Sequence, residues 1–89
     1  MPSIKRLVLD VLKPREVSLS DLSTRLCEIE GVDRVSIVVT EVDAKTETLK
    51  ATLTGEAVPY ELVCKIFQDN GCAVRSVDEI EVGKEEAKE

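Results

Sequence analysis

Residues 4–12 read IKRLVLDVL, and the alternation within this stretch decides how the rest of the chain is interpreted. Leu7, Leu9 and Val11 fall on one face of an extended strand, because successive side chains of a strand point to opposite faces. The other face mixes aliphatic side chains with charge and has Asp10 near its middle. The pattern predicts a strand that packs its first face into a core and leaves the second face mixed.

Five further elements follow this strand. Ser18 is the predicted N-cap of a first helix, Pro59 the predicted first residue of a second, and Gly31 and Gly71 the residues at which the two helices end. Alternating residues 35–40 and 48–54, joined by a turn at 43–46, predict a β-hairpin between the helices. The predicted strands are 4–12, 33–43, 47–55 and 73–82, and the predicted helices are 19–30 and 59–70.

The element order βαββαβ is that of the ferredoxin-like α+β sandwich. Because crossovers between parallel strands are right-handed, the four-stranded antiparallel sheet should have the order 4-1-3-2, with both helices on one face. Residues 1–83 form the single predicted domain, and residues 84–89 form a charged C-terminal tail. The predicted core comprises Leu9, Val11, Leu22, Leu26, Val35, Ile37, Leu53, Leu62, Ile66 and Phe67.

Charge and composition exclude several classes of function. Asp and Glu outnumber Lys and Arg by 18 to 12, which argues against nucleic acid as a partner. No apolar run approaches the roughly 18 residues of a membrane span, so we expect a cytoplasmic protein without a membrane partner.

Catalytic and zinc-binding residue patterns are missing from the sequence. There is no histidine, and the three cysteines form no C-x-x-C pair, so neither zinc ligands nor a Cys-His or Ser-His nucleophile pair is available. The central strands also have no aromatic residues of the kind on which RNA-binding sheets of this topology stack bases. The sequence therefore predicts that the protein is not an enzyme.

The helix-free face of the sheet is the first candidate site. We expect it to carry Arg6, Val8, Asp10 and Leu12 beside Val38, Thr40, Val42, Thr52 and Thr54. Threonines and aliphatics on a face that solvent would normally fill with charge indicate a contact surface, although an ordinary half-polar face is the alternative. If the protein is instead a small-molecule sensor, its ligand would bind on this face or between subunits. The candidate ligand or interface residues are Arg6, Asp10, Lys13 and Thr40.

The second candidate site is an acidic rim, defined here as Glu41, Asp43 and Glu47 of the hairpin with Asp78 and Glu79 of the fourth strand. Within one subunit the two groups are three strand spacings apart, on the order of 14 Å, too far to share an ion. Two subunits could bring them together, and oxygen ligands without histidine or paired thiolates favour Ca²⁺. Lys45 and Arg75 are the alternative, because either could neutralise the rim without metal.

Assembly is expected because two sheet edges are left unpaired, at the second and fourth strands. Joining the second strand of one copy to the fourth strand of the next is a heterologous contact, which closes into a ring or continues as a filament. The sequence therefore predicts a homo-oligomer.

Several motifs resemble those of a family of small archaeal proteins, domain of unknown function 211. They are RLVLDVLKP at 6–14, EGVDRV at 30–35, EVDAKTE at 41–47 and SVDE at 76–79. The resemblance spans residues 4–83, and the first motif is its most specific part. It implies a ferredoxin-like fold, an archaeal source and an oligomer, adds weight to calcium binding at the acidic rim, and implies no activity.

Overall fold

The computed structural model describes residues 1–84, and its six elements follow the predicted order. They are β1 (Pro2–Pro14), α1 (Leu19–Cys27), β2 (Arg34–Val42), β3 (Thr46–Thr54), α2 (Tyr60–Asp69) and β4 (Ala73–Lys84). The sheet order is β2-β3-β1-β4 with every neighbouring pair antiparallel, which is the predicted 4-1-3-2 order counted from the other edge. The ferredoxin-like α+β fold is therefore confirmed. Lys84 belongs to β4, and the remainder of the predicted tail, 85–89, lies outside the described residues.

Both helices cover the same face of the sheet. One continuous cluster of buried side chains includes Leu9 of β1, Leu26 of α1, Leu53 of β3 and Phe67 of α2. Burying one such side chain stabilises the fold by roughly 1.5–3 kcal/mol. The core is thus a single aliphatic layer between sheet and helices. Within residues 1–84 no helix or second sheet covers the opposite face of the sheet, which is called here the open face.

The predicted core is wrong at one position and only partly buried at three others. Leu62 is 42 % exposed, whereas the next residue, Val63, is fully buried together with Phe67. Leu62 and Ile66 form a stripe that lies about 100° around the helix from that of Val63 and Phe67, which is the angle between successive residues of an α-helix. Ile66, like Val35 and Ile37 of the edge strand β2, is half-buried.

Local signals set the helix boundaries. The Ser18 hydroxyl accepts a hydrogen bond of 3.1 Å from the backbone N–H of Asp21, which satisfies one free donor of the first turn of α1. Pro59 precedes the first residue of α2 instead of occupying it. Gly31 and Gly71 have φ of +99° and +78°, a conformation that costs glycine little because it has no Cβ. Gly71 directly follows the C-cap of α2, but the predicted end of α1 at Gly31 is wrong, because α1 ends at Cys27 and Gly31 lies in the loop before β2.

The loop between α1 and β2 and the loop between β3 and α2 approach each other at two glycines. A Cβ on Gly31 would collide with the carbonyl group of Ala57, and a Cβ on Gly55 would collide with the carbonyl oxygen of Gly31. Ala57 also donates a backbone hydrogen bond of 3.3 Å to the Gly31 carbonyl. The two crossover loops are therefore in direct backbone contact, which only glycine permits at these positions.

Four residues are left out of the ladder pairing as β-bulges. Lys5 of β1 and both Arg75 and Asp78 of β4 interrupt the β1–β4 register, and Thr40 interrupts the β2–β3 register. The interruption expected near Asp78 is thus a bulge within one continuous strand. Bulges increase the local twist and interrupt the edge of a sheet, so β4 presents an irregular outer edge.

Candidate functional site

Lys13 is buried on the helix-covered face and does not lie beside Asp10. Its side chain is packed at the end of β1, on the same face of the sheet as Val11, and the residue is 1 % exposed. The ammonium donates hydrogen bonds of 2.9 Å and 2.7 Å to the carbonyl oxygens of Pro14 and Val17, and its nitrogen lies 3.1 Å from Oε1 of Glu47. Lys13 therefore stabilises the β1–α1 turn by hydrogen-bonding its carbonyl groups, and it is not free to contact a ligand on the open face.

Two backbone N–H groups of the β1–α1 turn are already hydrogen-bonded within the chain. The N–H of Arg15 donates to the carbonyl of Lys45 at 3.0 Å, and the N–H of Val17 donates to the carbonyl of Pro14 at 3.1 Å. Pro14 has no N–H. The turn is consequently poor in the free donors that would bind a ligand carboxylate.

Asp10 and Arg6 are each paired with a residue of β4 on the open face. The Asp10 carboxylate lies 3.3 Å from an Arg75 guanidinium nitrogen, and Arg6 Nε lies 3.2 Å from a Glu79 carboxylate oxygen. Both pairs are partly exposed, and ion pairs of this kind contribute about 0–1 kcal/mol each. The sequence identified three of these residues as site candidates and named Arg75 as a competing cation. Arg75 instead pairs with Asp10, which is not part of the acidic rim. Within residues 1–84, the cations that pair with rim carboxylates are Arg6 and Lys13.

Val8 is 3 % exposed although it belongs to the open face. Its cross-strand partners are Thr52 of β3 and Glu79 of β4, and the ion pair between Arg6 and Glu79 crosses beside it. The stems of long charged side chains cover apolar surface in this way while their charged groups stay in water. The middle of the open face is therefore covered by polar side chains and is less apolar than the sequence suggested.

The bulge at Thr40 rearranges the hairpin end. Thr40 is left out of the pairing and donates its hydroxyl to the Thr48 carbonyl at 3.2 Å. Beyond it, Val42 pairs with Glu47, whose side chain points to Lys13 on the helix-covered face. Val42 was predicted on the open face, and this prediction is wrong because a bulge reverses the alternation.

The acidic rim does not converge within one chain. Glu47 pairs with Lys13, Glu79 pairs with Arg6, and Asp78 accepts a hydrogen bond of 2.8 Å from the Ser76 hydroxyl. Glu41 and Asp43 form no ion pair within residues 1–84, and no group of three Asp, Glu or Cys side chains in that range is placed to hold a metal. That two subunits share an ion at the rim stays a prediction.

The hairpin half and the β4 half of the acidic rim also lie at different positions along the strand direction. Glu79 pairs with Val8, whereas Glu41 pairs with Thr48, which faces Leu12. Four residues of β1 separate the two levels, about 13 Å at the usual rise. A neighbouring copy would therefore have to be displaced along the strand direction to bring both halves together.

Sequence reasoning missed a row of exposed aliphatic side chains on β4. Val77, Ile80 and Val82 are 43 %, 53 % and 55 % exposed, and this row is called here the β4 band. They pair with Leu9, Leu7 and Ile4, residues that pack in or against the core, so the band lies on the helix-covered side. Bulges break the simple alternation of β4, which is why the period-two pattern did not reveal a face.

The three cysteines differ in their surroundings. Cys27 is exposed, Cys64 is half-buried and Cys72 is buried. Burial raises the pKa of the Cys72 thiol, and the nearby charge of Lys13 acts in the opposite direction. A hydrogen bond and the charge of Cys64 raise the pKa of the Tyr60 phenol. The raised pKa means that the Cys72 thiol is not activated as a nucleophile.

Neither helix in the described part of the chain has the length and apolar character needed to cross a membrane.

Comparison with known proteins identifies the family of this chain. A family model named DUF211 and described as "Uncharacterized ArCR" matches residues 5–89. The "Uncharacterized protein MJ0319" of Methanocaldococcus jannaschii is 36 % identical over 84 residues, which is 94 % of this chain and 87 % of that relative. The motifs at 6–14, 30–35, 41–47 and 76–79 thus led to the correct family, and the chain belongs to DUF211.

Proposed function

We propose that the protein is non-enzymatic and assembles with copies of itself, edge to edge, through the β4 band. The observation that carries this proposal is the exposure of Val77, Ile80 and Val82 along an edge strand. Exposed apolar residues that are contiguous mark interaction sites more often than scattered ones do. The band continues the core layer outward, so a partner placed beside it would extend the same layer.

The proposed partner surface is the β2 edge of the next copy. Val35, Ile37 and Val39 are half-buried there, and they pack against the core on the helix-covered side. Placing β2 beside the β4 band would align the two apolar rows. The bulges at Arg75 and Asp78 would limit backbone pairing at this junction, so side chains would carry most of the contact. Because the two surfaces differ, the contact is heterologous and generates a ring or a filament.

Calcium binding forms a second, dependent part of the proposal. Glu41 and Asp43 are exposed at the hairpin end, and Asp78 receives only a hydroxyl hydrogen bond within residues 1–84. Carboxylates from two copies would repel unless a cation lies between them, and oxygen ligands in an irregular arrangement suit Ca²⁺. The site would form only where a subunit boundary brings carboxylates of two copies together.

The alternative function, a small-molecule sensor, has less support. Lys13 is buried and paired with Glu47, so it cannot join Asp10 in a ligand site on the open face. Two backbone donors of the β1–α1 turn, the N–H groups of Arg15 and Val17, are already hydrogen-bonded within the chain and so are not available to a ligand carboxylate. The partner we propose is therefore a second copy of the chain and not a small molecule, nucleic acid or a membrane. Three free thiols favour the cytoplasm as the location.

Light scattering of the wild type and of Ile80→Asp tests the assembly. We expect the wild type to have several times the 9.8 kDa mass of one chain and Ile80→Asp to have a lower mass, because a carboxylate would be buried in an apolar contact. Thr24→Asp on α1 adds the same charge to an exposed position outside the band and should leave the mass unchanged. A wild type of 9.8 kDa would contradict the proposal.

A further inference from the structure

The open face carries charges that form no ion pair with any group of residues 1–84. Lys50 projects from the central strand β3, and Arg34 projects from the edge strand β2. Neither forms an ion pair within residues 1–84, although both are exposed. On the other half of the sheet, Glu81 of β4 is likewise without a cation in the described range. The cations of that half, Arg6 and Arg75, are already paired with Glu79 and Asp10.

The pairing register shows how far apart these charges are. Arg34, Thr54, Arg6 and Glu81 form one row across the sheet, so Arg34 and Glu81 stand at its two ends. The ends are three strand spacings apart, about 14 Å, which is too far for an ion pair within one chain. A second row places Lys50 directly beside Asp10, but the Asp10 carboxylate is directed to Arg75 at 3.3 Å.

A second copy related by a two-fold axis parallel to the strands would provide an anion for Lys50 and would bring Arg34 and Glu81 of different copies together. Let this axis lie between the open faces of two copies, midway between β3 and β1. Then β2 lies over β4 of the other copy and β3 lies over β1 of the other copy. Each cross-strand row lies over the same row of the other copy. Lys50 then faces Asp10 of the other copy, and Arg34 faces Glu81. Each contact occurs twice by symmetry, and in neither row does a carboxylate face a carboxylate. Sheets that pack face to face in this aligned manner are about 10 Å apart, a distance that lysine and arginine side chains can bridge.

The other aligned arrangement has its two-fold axis perpendicular to the strands and fits less well. It would place β3 over β3 and β1 over β1, and besides Lys50 the open-face residues of β3 are threonines, including Thr48, Thr52 and Thr54. At any height of the axis Lys50 would therefore face a threonine or its own copy and would remain without an anion directly opposite. Charge complementarity therefore favours the axis parallel to the strands.

We propose that a second copy of this chain docks on the open face about that axis, with Lys50 of each copy against Asp10 of the other. This contact is distinct from the edge contact at the β4 band, and it adds a second surface to the proposed assembly. An edge contact between copies at the same height would also join Arg34 to Glu81, so those two residues cannot distinguish the surfaces. Lys50 can, because it lies on a central strand that no edge contact reaches.

The test uses full-length protein in which Ile80→Asp has removed the edge contact, analysed by sedimentation equilibrium. We expect a species of twice the 9.8 kDa chain mass. Adding Lys50→Glu should raise the dissociation constant of this dimer at least about tenfold, because two attractive contacts become repulsive. Arg25→Glu, which makes the same charge change on α1, should leave the dissociation constant unchanged. Raising NaCl from about 50 to about 500 mM should weaken the dimer, since exposed ion pairs are screened.

A second variant guards against an indirect effect of Lys50→Glu. Thr52→Arg places a long side chain where Val8 of the other copy would lie, and it should also dissociate the dimer. Circular dichroism confirms that each variant is folded. A monomeric Ile80→Asp protein, or a dimer that is indifferent to Lys50→Glu and Thr52→Arg, would overturn this inference and leave the edge contact intact. An Ile80→Asp protein with the same mass as the wild type would instead count against the edge contact.

Discussion

The ammonium nitrogen of Lys13 lies 3.1 Å from Oε1 of Glu47, and the lysine is 1 % exposed, so the two residues form the one deeply buried ion pair of residues 1–84. Lys13→Met should destabilise the protein by about 3–5 kcal/mol, because it leaves a carboxylate and the carbonyls of the β1–α1 turn without their donor. Glu47→Gln should cost less, about 1–2 kcal/mol, since an acceptor oxygen remains and the ammonium keeps its carbonyl partners. Urea unfolding measures both values.

Lys65→Met is the matched control for that pair. Lys65 and Asp69 form an exposed ion pair at 2.9 Å within α2, and such a pair contributes less than about 1 kcal/mol. If Lys13→Met were as mild as Lys65→Met, the buried pair would have no special importance for stability.

The choice between Leu62 and Val63 as the core position of α2 gives a second prediction. Leu26→Ala should cost about 2–5 kcal/mol because Leu26 is fully buried in α1. Leu62→Ala should change stability by no more than about 0.5 kcal/mol because the residue is 42 % exposed. Equal losses in thermal or urea unfolding would mean that α2 is rotated from its position in this structure.

Backbone contact between the two crossover loops predicts that Gly55 tolerates no side chain. Gly55→Ala would drive a methyl group into the Gly31 carbonyl, so the loops must separate, and we expect a loss of about 1–3 kcal/mol. Gly83→Ala is the control, because its Cβ would meet only the flexible side chain of Lys5, at 3.5 Å. Similar melting temperatures for the two variants would be inconsistent with close loop packing.

The surroundings of Cys72 predict both its reactivity and a pH dependence. Burial raises the pKa of its thiol, so near neutral pH a thiol reagent should label Cys27 rapidly and Cys72 only after unfolding. A raised folded-state pKa contributes stability that is complete below the ordinary thiol pKa of about 8.5 and is lost as the pH rises through the folded value. The free energy of unfolding of the wild type should therefore fall relative to that of Cys72→Val between about pH 7 and about pH 10.

The calcium proposal is tested by calorimetric titration of the intact oligomer with Ca²⁺. We expect binding that Asp43→Asn weakens, together with a larger or more stable assembly in the presence of the ion, because ligands that bind only the assembled form stabilise it. Asp69→Asn removes an exposed carboxylate of α2 and serves as the control. Absence of binding heat in the assembled wild type would leave Glu41 and Asp43 as solvated side chains.

The sequence was sufficient for the element order and the sheet topology because those follow from periodicity, capping residues and the handedness of crossovers. It was insufficient at Val42, where a bulge at Thr40 reverses the alternation, and bulges leave no period-two signal. It also misplaced Lys13, since a lysine after an alternating strand is usually exposed. Here the turn at Pro14 and Val17 supplies carbonyls that only the folded chain brings together.

The central position of β1 has a consequence for how the chain reaches its native state. Leu7 pairs with Leu53 of β3 on one side and with Ile80 of β4 on the other, so one edge of the earliest strand is completed by the latest. A chain made from its N-terminus must hold β1 with that edge open until β4 has left the ribosome, and unpaired edges are prone to aggregation. Contacts so distant in sequence also slow folding. A nascent chain stalled before residue 73 should thus depend on chaperones, whereas release of β4 should end that dependence.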